Sequence, residues 1–269
     1  MNEMSRIGQG RTADIFEHSD GRIIKLYKKD FPAEAIHQEL RVSQLAYSLG
    51  IRTPEPFGPI ELEGRNGLVF QRISGASLLA LLTKKPWTVN KYAKLLANLH
   101  AEIHAFNAAE LNRKQKKMLY ENIRNAPLLT EQEKARIIRY TEVLPDGNRL
   151  CHGDFHPDNV MLDGSCRVLD WMTGVSGNPA GDVARSVILL SIGSMPDGTP
   201  APIKVLAQFL RNKLKAAYLK EYLRITGHDH AAIEEWILPT AAARLTEGIP
   251  QEEKIKLVSI IRANLAAAT

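Results

Sequence analysis

From residue 5 to residue 28 the chain reads as strand, turn, strand. A glycine-rich turn, GQG, leads into TADIFEH, the turn signal SDG at 19–21 follows, and RIIKLYK comes next. β-Branched and aromatic residues on both sides of a tight turn predict a hairpin. The period then changes. In AEAIHQELRVSQLAYSLG, residues 33–50, Ile36, Leu40, Leu45 and Leu49 recur at near-helical spacing, and Gly50 supplies a stop. PEPFGPIELEGRNGLVFQRI predicts two further strands around an EGRNG turn. About the first seventy residues therefore make a small sheet with one helix.

Beyond SGASL, residues 74–78, helical patterns dominate. KYAKLLANLHAEIHAF is followed by a polar and basic helical stretch to about residue 142, then by LCHGDFHPDN at 150–159. Two short strand-like pieces, VML and RVLD, are joined by the turn DGS. From about residue 181 the pattern is helical again, with LTEGIPQEE as a break before the last helix. The expected architecture is α+β, with a small antiparallel-sheet lobe over residues 1–73, a hinge near Gln71 to Gly75, and a larger, mostly helical lobe over 74–269.

Composition narrows the field. With 269 residues, 44% apolar and 24% charged, the chain can bury a sizeable core. Its longest apolar stretch, VILLSIG at 187–193, is too short to span a bilayer, and MNEMSRIGQGR carries no apolar leader segment, so the expected location is the cytoplasm, off the membrane. Cys151 and Cys166 are expected to be small buried hydrophobes. The charge of +5 permits polyanion binding without demanding it. The densest basic run, NRKQKKM at 112–118, sits among helix formers and reads as a solvated helix face, and with no zinc-finger spacing or RNP signature nucleic acid is not an expected partner.

The chemistry concentrates in HGDFHPDN. Asp154 and Asn159 stand five apart in a segment containing Gly and Pro, which places them on a loop. Asp170, eleven residues past Asn159, ends an apolar run. Carboxylate and amide oxygens at strand ends are the hard ligands Mg²⁺ accepts when phosphates complete its shell. In the N-terminal half, Gly8 and Gly10 allow backbone amides close to phosphate oxygens, although a turn alone would also use them. Lys25, flanked by Ile24 and Leu26, needs a partner for its charge, and Glu39 is the candidate. His100 and His104 lie four apart on one helical face, but Glu102 points away and no third ligand follows nearby, so they read as packed or capping histidines. GHDH at 227–230 reads as a polar turn with a helix N-cap, and Trp87 and Trp236 as core residues.

Taken in order and spacing, IGQGRTADIF, IIKLYK, Glu39, HGDFHPDN and VLDW resemble the aminoglycoside phosphotransferase and choline kinase branch of the protein-kinase-like fold. That resemblance implies a two-lobed fold and phosphoryl transfer from ATP, or GTP, with Mg²⁺, to the hydroxyl of a small-molecule acceptor. It implies Asp154 as the residue that orients and deprotonates the acceptor, Asn159 and Asp170 as metal ligands, and Lys25, paired to Glu39, on the nucleotide phosphates. Gly8, Gly10 and Thr12 would cover the phosphates, and Gln71 to Ile73 would receive the adenine. Asp182 would brace the catalytic loop. The chain departs from the protein-kinase pattern at Ala13, where a third glycine would stand, and at Trp171 and Met172 after Asp170. Eleven residues between Asp170 and Asp182 leave little room for an activation segment, which disfavours protein substrates. The helical lobe is not conspicuously acidic, as a polycationic acceptor would require, though Glu234, Glu235 or Glu247 could serve locally. The alternative is a nucleotide-binding regulator without phosphotransfer.

Overall fold

The computed structural model describes residues 5–193 and 199–267. The chain divides into two compact units: residues 1–81 with 157–174, and residues 82–156 with 175–269. The first unit thus takes back the segment after the HGDFH loop.

In the first unit, β1 (Arg6–Gln9), β2 (Ala13–His18), β3 (Arg22–Tyr27), β4 (Pro56–Leu62) and β5 (Arg65–Gln71) form an antiparallel sheet ordered β1-β2-β3-β5-β4. GQG is not wholly a turn. Gly8 lies within β1, and the reversal comes at Gly10, whose N–H donates to the Ala13 carbonyl at 2.8 Å. The EGRNG turn contracts to Glu63 and Gly64, both at positive φ, as a two-residue hairpin turn demands, so Arg65 to Gly67 join β5. Ala13, Tyr27, Ile36, Leu68 and Phe70 make this unit's core.

Helix α1 (Ala33–Ser48) ends as its sequence suggested. Gly50 takes φ 78°, its N–H donates to Tyr47 and that of Ile51 to Ala46, which satisfies the last carbonyls in a Schellman arrangement. The buried residues are nevertheless Ile36, Gln38, Glu39, Val42, Ser43 and Ala46, so that of the expected stripe Ile36 is buried and the three leucines are not. A glutamate on the inner face of a helix requires a partner, because burying an unpaired charge is prohibitive.

The strands β6 (Ala76–Ser77), β8 (Val160–Asp163) and β9 (Ser165–Val168) form a second small sheet in this unit. Gly75 is needed there: a Cβ on it would stand 1.9 Å from the Leu162 carbonyl oxygen. Thr53 ties the segment before β4 to the end of β9, donating to the Val168 carbonyl at 2.8 Å and accepting from the Trp171 indole N–H at 3.0 Å.

The second unit is helical. α3 (Val89–His104), α4 (Gln115–Arg124), α5 (Glu131–Val143), α6 (Pro179–Ser191), α7 (Ala201–Thr226), α8 (His230–Glu234), α9 (Ile237–Arg244) and α10 (Gln251–Ala267) are joined by one two-stranded sheet, β7 (Arg149–Cys151) with β10 (Val175–Gly177). A short helix, α2 (Leu78–Lys84), spans the boundary between the units. The polar and basic helical stretch is divided into α4 and α5, Thr130 and Glu133 building a capping box that starts the second. Its basic run is only partly a solvated face: Gln115 is buried, exchanging hydrogen bonds with the backbone of Asn178. Trp236 is buried, whereas Trp87 is 76% exposed, so the expectation of a core residue fails there. Trp87 sits in a 3-10 turn, Pro86–Thr88, just ahead of α3. Cys151 and Cys166 are both buried, and Asp229 of GHDH caps α8 by accepting from the Ala231 N–H. No helix among the described residues is long and apolar enough to cross a membrane.

Candidate active site

The first unit gathers one set of groups. Lys25, on β3, donates to Glu39 Oε1 at 2.7 Å and to Asp170 Oδ1 at 2.9 Å. Tyr27, two residues on and facing the same way, donates its hydroxyl to Glu39 Oε2 at 2.6 Å, so both carboxylate oxygens are engaged. Burial alone would lower the Lys25 ammonium, but the two carboxylates outweigh it and hold it above its ordinary value. Burial pushes Glu39 the other way, up, with Lys25 offsetting part of the effect. Tyr27 is pushed up by burial and then by Glu39. The Lys25–Glu39 pairing read from the sequence is present; Tyr27 was not foreseen, although KLY with period two points to it.

Asp170 and Asn159 come together through the β8–β9 hairpin. Val160 faces Val168, and the Leu169 N–H donates to the Asn159 carbonyl at 2.8 Å, so the residues flanking the hairpin's open end are Asn159 and Asp170. Asp170 adopts φ 63°, ψ 71°, a left-handed conformation that aspartate tolerates better than most side chains. An amide oxygen and a carboxylate suit a hard cation. Gly8 and Gly10 lie in and just after β1, and Thr12 begins the return, its carbonyl accepting from the Lys28 N–H at 2.9 Å. Gln71 ends β5, with its N–H donating to Glu55, and Ile73 follows half-buried.

The second unit holds Asp154 and what supports it. Gly153, at φ 76°, turns the loop. Asp182, at the start of α6, accepts from both backbone N–H groups ahead of Asp154: His152 to Oδ2 at 2.6 Å and Gly153 to Oδ1 at 2.8 Å. The two histidines of α3 converge on the same carboxylate, His100 Nε2 at 3.0 Å and His104 Nε2 at 3.2 Å. Behind them, Tyr218 and Tyr222 of α7 lie 2.6 and 2.7 Å from the Nδ1 atoms. Each ring donates from Nε2 to Asp182, and His100, neutral, accepts the Tyr218 proton at Nδ1. Burial, then His104, holds His100 at about 3. Burial would raise Asp182, but its histidine partners keep it well below its ordinary value.

His100, His104 and Asp182 therefore offer three ligating atoms within 4.8 Å of one another. The third of these groups, Asp182, comes from α6, far along the chain from the two histidines. Hydrogen bonds already account for each of those atoms, so the histidines are packed groups bracing the loop through Asp182.

Asp154 itself lies between Arg185 and His156. Arg185 Nη2 donates to Oδ1 at 3.0 Å, and His156 Nε2 lies 3.4 Å from Oδ2. Burial would raise this carboxyl; the His156 hydrogen bond and the Arg185 charge outweigh it and keep it ionised far below the usual carboxylate range. Arg185 was not singled out by sequence reasoning. Of the three local carboxylates suggested for a cationic acceptor, Glu247 is taken up by Arg185 and Arg244, and Glu234 lies 3.5 Å from His230.

The sequence pattern of the phosphotransferase enzyme family matches residues 3–236. No curated protein matches the chain in sequence. Among solved structures it is similar to the aminoglycoside-3'-phosphotransferase of type VIII, at 16% identity and a TM-score of 0.67 over 90% of this chain and 93% of that one. It is also similar to APH(2'')-IIa in its ternary complex with streptomycin and ATP (17%, 0.58, 97% and 91%). A choline/ethanolamine kinase family protein from Mesorhizobium loti is a third (15%, 0.54, 99% and 87%). At such identities the likeness is one of fold: a small antiparallel sheet with one helix, and a helical unit, as in the protein-kinase-like proteins.

Proposed function

The chain belongs to the phosphotransferase enzyme family, and on that premise we propose that it is an ATP-dependent small-molecule kinase, moving the γ-phosphoryl group to a hydroxyl of its acceptor. Carrying most weight is the seat of Lys25, its ammonium held between Glu39 at 2.7 Å and Asp170 at 2.9 Å. A buried lysine fixed by a helix glutamate, with a second carboxylate at a strand end, is what phosphate binding beside a metal site requires.

Each residue then has a part. Lys25, steadied by Glu39, binds the α- and β-phosphates, while the glycine-rich turn with Gly8, Gly10 and Thr12 covers them. Gln71 to Ile73 receive the adenine through the backbone, so residues 1–73 act as the nucleotide-binding portion and 74–269 as the portion that carries catalysis and the acceptor. The side-chain oxygens of Asn159 and Asp170 fit Mg²⁺, which when bound supplies charge neutralisation at the phosphates. Asp154 accepts a hydrogen bond from the acceptor hydroxyl and aims it. Flanked by Arg185 and His156, it is a weak base, so orientation and electrostatics carry more of the rate than proton abstraction. With Glu247 already neutralised by two arginines, the surroundings of Asp154 do not favour a polycationic acceptor held by that residue.

The test is ADP release with Mg²⁺ and ATP against a panel of aminoglycosides, choline, sugars, homoserine and macrolides. One acceptor stimulating the wild type, with Asp154→Ala slower by roughly 10² to 10⁴, is the expected result. Mg·ATP binding without transfer to any acceptor or to water would instead favour a nucleotide-binding regulator, and near-normal turnover by Asp154→Ala would refute its assigned role.

A further inference from the structure

One guanidinium in the second unit makes three directed contacts. Arg185, on α6, donates from Nε to the Gly153 carbonyl at 2.9 Å, from Nη2 to Asp154 Oδ1 at 3.0 Å, and from Nη1 to Glu247. It thus grips the Asp154 side chain and the peptide just before it, which sets both the position and the rotation of that carboxylate. A planar fork can do this; a lysine ammonium, a single point charge, cannot hold the same geometry. Glu247 lies between α9 and α10, 62 residues along the chain, and is itself held by Arg244 Nη1 at 2.7 Å. Arg244 in turn faces Glu253 of α10 at 3.5 Å. The result is a chain of alternating charges, from the helix pair at the end of the protein to Asp154. Surface ion pairs are cheap and common, but Arg185 and Arg244 are largely shielded from solvent, with side chains 14% and 7% exposed, so these contacts are defined in place.

We propose that Arg185 and Glu247 are positioning residues of the transfer reaction: Arg185 orients Asp154 and its loop on one guanidinium fork, and Glu247, from the α9–α10 segment, orients Arg185. The proposal rests on the kinase function set out above. It assigns the α9–α10 segment a part in the rate of transfer, through the contact of Glu247 with Arg185. Neither residue is expected to affect nucleotide binding, because their partners are confined to the loop of Asp154 and the helices behind it.

The test needs no acceptor, since water can take the phosphoryl group. ADP release from Mg·ATP alone is followed over a range of ATP concentrations for the wild type, Arg185→Lys, Glu247→Gln, Asp154→Ala and the double variant Asp154→Ala/Arg185→Lys, with a thermal melt of each. Arg185→Lys and Glu247→Gln should each lower kcat by about ten- to a hundredfold, the penalty of a misplaced group, with KM for ATP unchanged. In the Asp154→Ala background Arg185→Lys should slow the reaction no further, because its effect passes through that carboxylate. Folded variants with kcat within about twofold of wild type would overturn the proposal. So would a rise in KM at constant kcat, or additive slowing in the double variant, which marks an independent structural role. Should Asp154→Ala release ADP as fast as the wild type, the kinase function fails first, and the proposal with it; the near-isosteric Glu247→Gln keeps the test open if Arg185→Lys does not fold.

Discussion

Acidification should unfold this protein through His100. The ring is buried, donates to Asp182 and is held at about 3, against 6.5 for an ordinary histidine. Between those values the unfolded chain binds a proton that the folded chain refuses, so stability falls as pH falls, by about 1.4 kcal/mol per pH unit. Integrated from pH 7 to pH 5 the loss is about 2 kcal/mol, and to pH 4 about 3 kcal/mol. The window is informative because Asp154 and Asp182, held below their ordinary values, keep their contributions until the pH drops below about 3.8. Glu39, pushed up by burial, works in the opposite sense, its penalty being relieved on acidification, while His228, lowered by burial, adds to the loss. A melt at pH 5 should lie about 4–8 °C below one at pH 7. His100→Gln, which can still offer an N–H to Asp182, should flatten that dependence by about one proton's worth. Ring-nitrogen NMR gives the direct check: a neutral Nε2–H tautomer persisting to pH 5. A His100 ring that titrates near 6.5, or wild type and variant melting in parallel across the window, would refute the reasoning.

Other perturbations follow from named contacts. Thr53→Val removes an acceptor from the buried Trp171 indole and a donor from Val168, and should cost roughly 1–3 kcal/mol by urea unfolding. Gly75→Ala places a methyl against the Leu162 carbonyl and should lower the melting temperature by several degrees while Gly64→Ala, next to open space, acts only through its positive φ. Lys25→Met leaves Glu39 buried and unpaired, so it should both destabilise by about 3–5 kcal/mol and abolish tight ATP binding by calorimetry; the double change with Glu39→Gln should recover stability but not binding.

Much of the site was legible because its residues are crowded in sequence. Asp154, Asn159 and Asp170 fall within seventeen positions, and a loop that dense in polar groups between apolar strands carries far more hydrogen-bonding capacity than a turn needs. Lys25 and Glu39 were readable for the opposite reason, as charges placed where burial forbids them unless paired. The rest depended on contacts without local signal. Asp182 meets His100 and His104 across about eighty residues, and Arg185 meets Glu247 across 62. Neither separation leaves a periodic trace. The helical pattern from 112 to 142 could not show its own interruption, since the capping box at Thr130 is read only once a helix start is suspected. Trp87 misled because size and apolarity predict burial on average, and a residue in a turn ahead of a helix escapes the average.

The division of the chain has a consequence for how it is made. Because residues 157–174 belong to the same compact unit as residues 1–81, the sheet-bearing unit is unfinished when its first 81 residues leave the ribosome. Its last members, the β8–β9 hairpin with Asn159 and Asp170, arrive only after residues 82–156 of the helical unit have been synthesised. Neither unit can be obtained as a continuous fragment, and an amino-terminal piece cut at residue 81 would present Thr53 without its partners Val168 and Trp171. The HGDFHPDN segment is itself one of the crossings, divided between His156 and Pro157. A break in the chain anywhere between residues 81 and 174 therefore parts residues that belong to one compact unit.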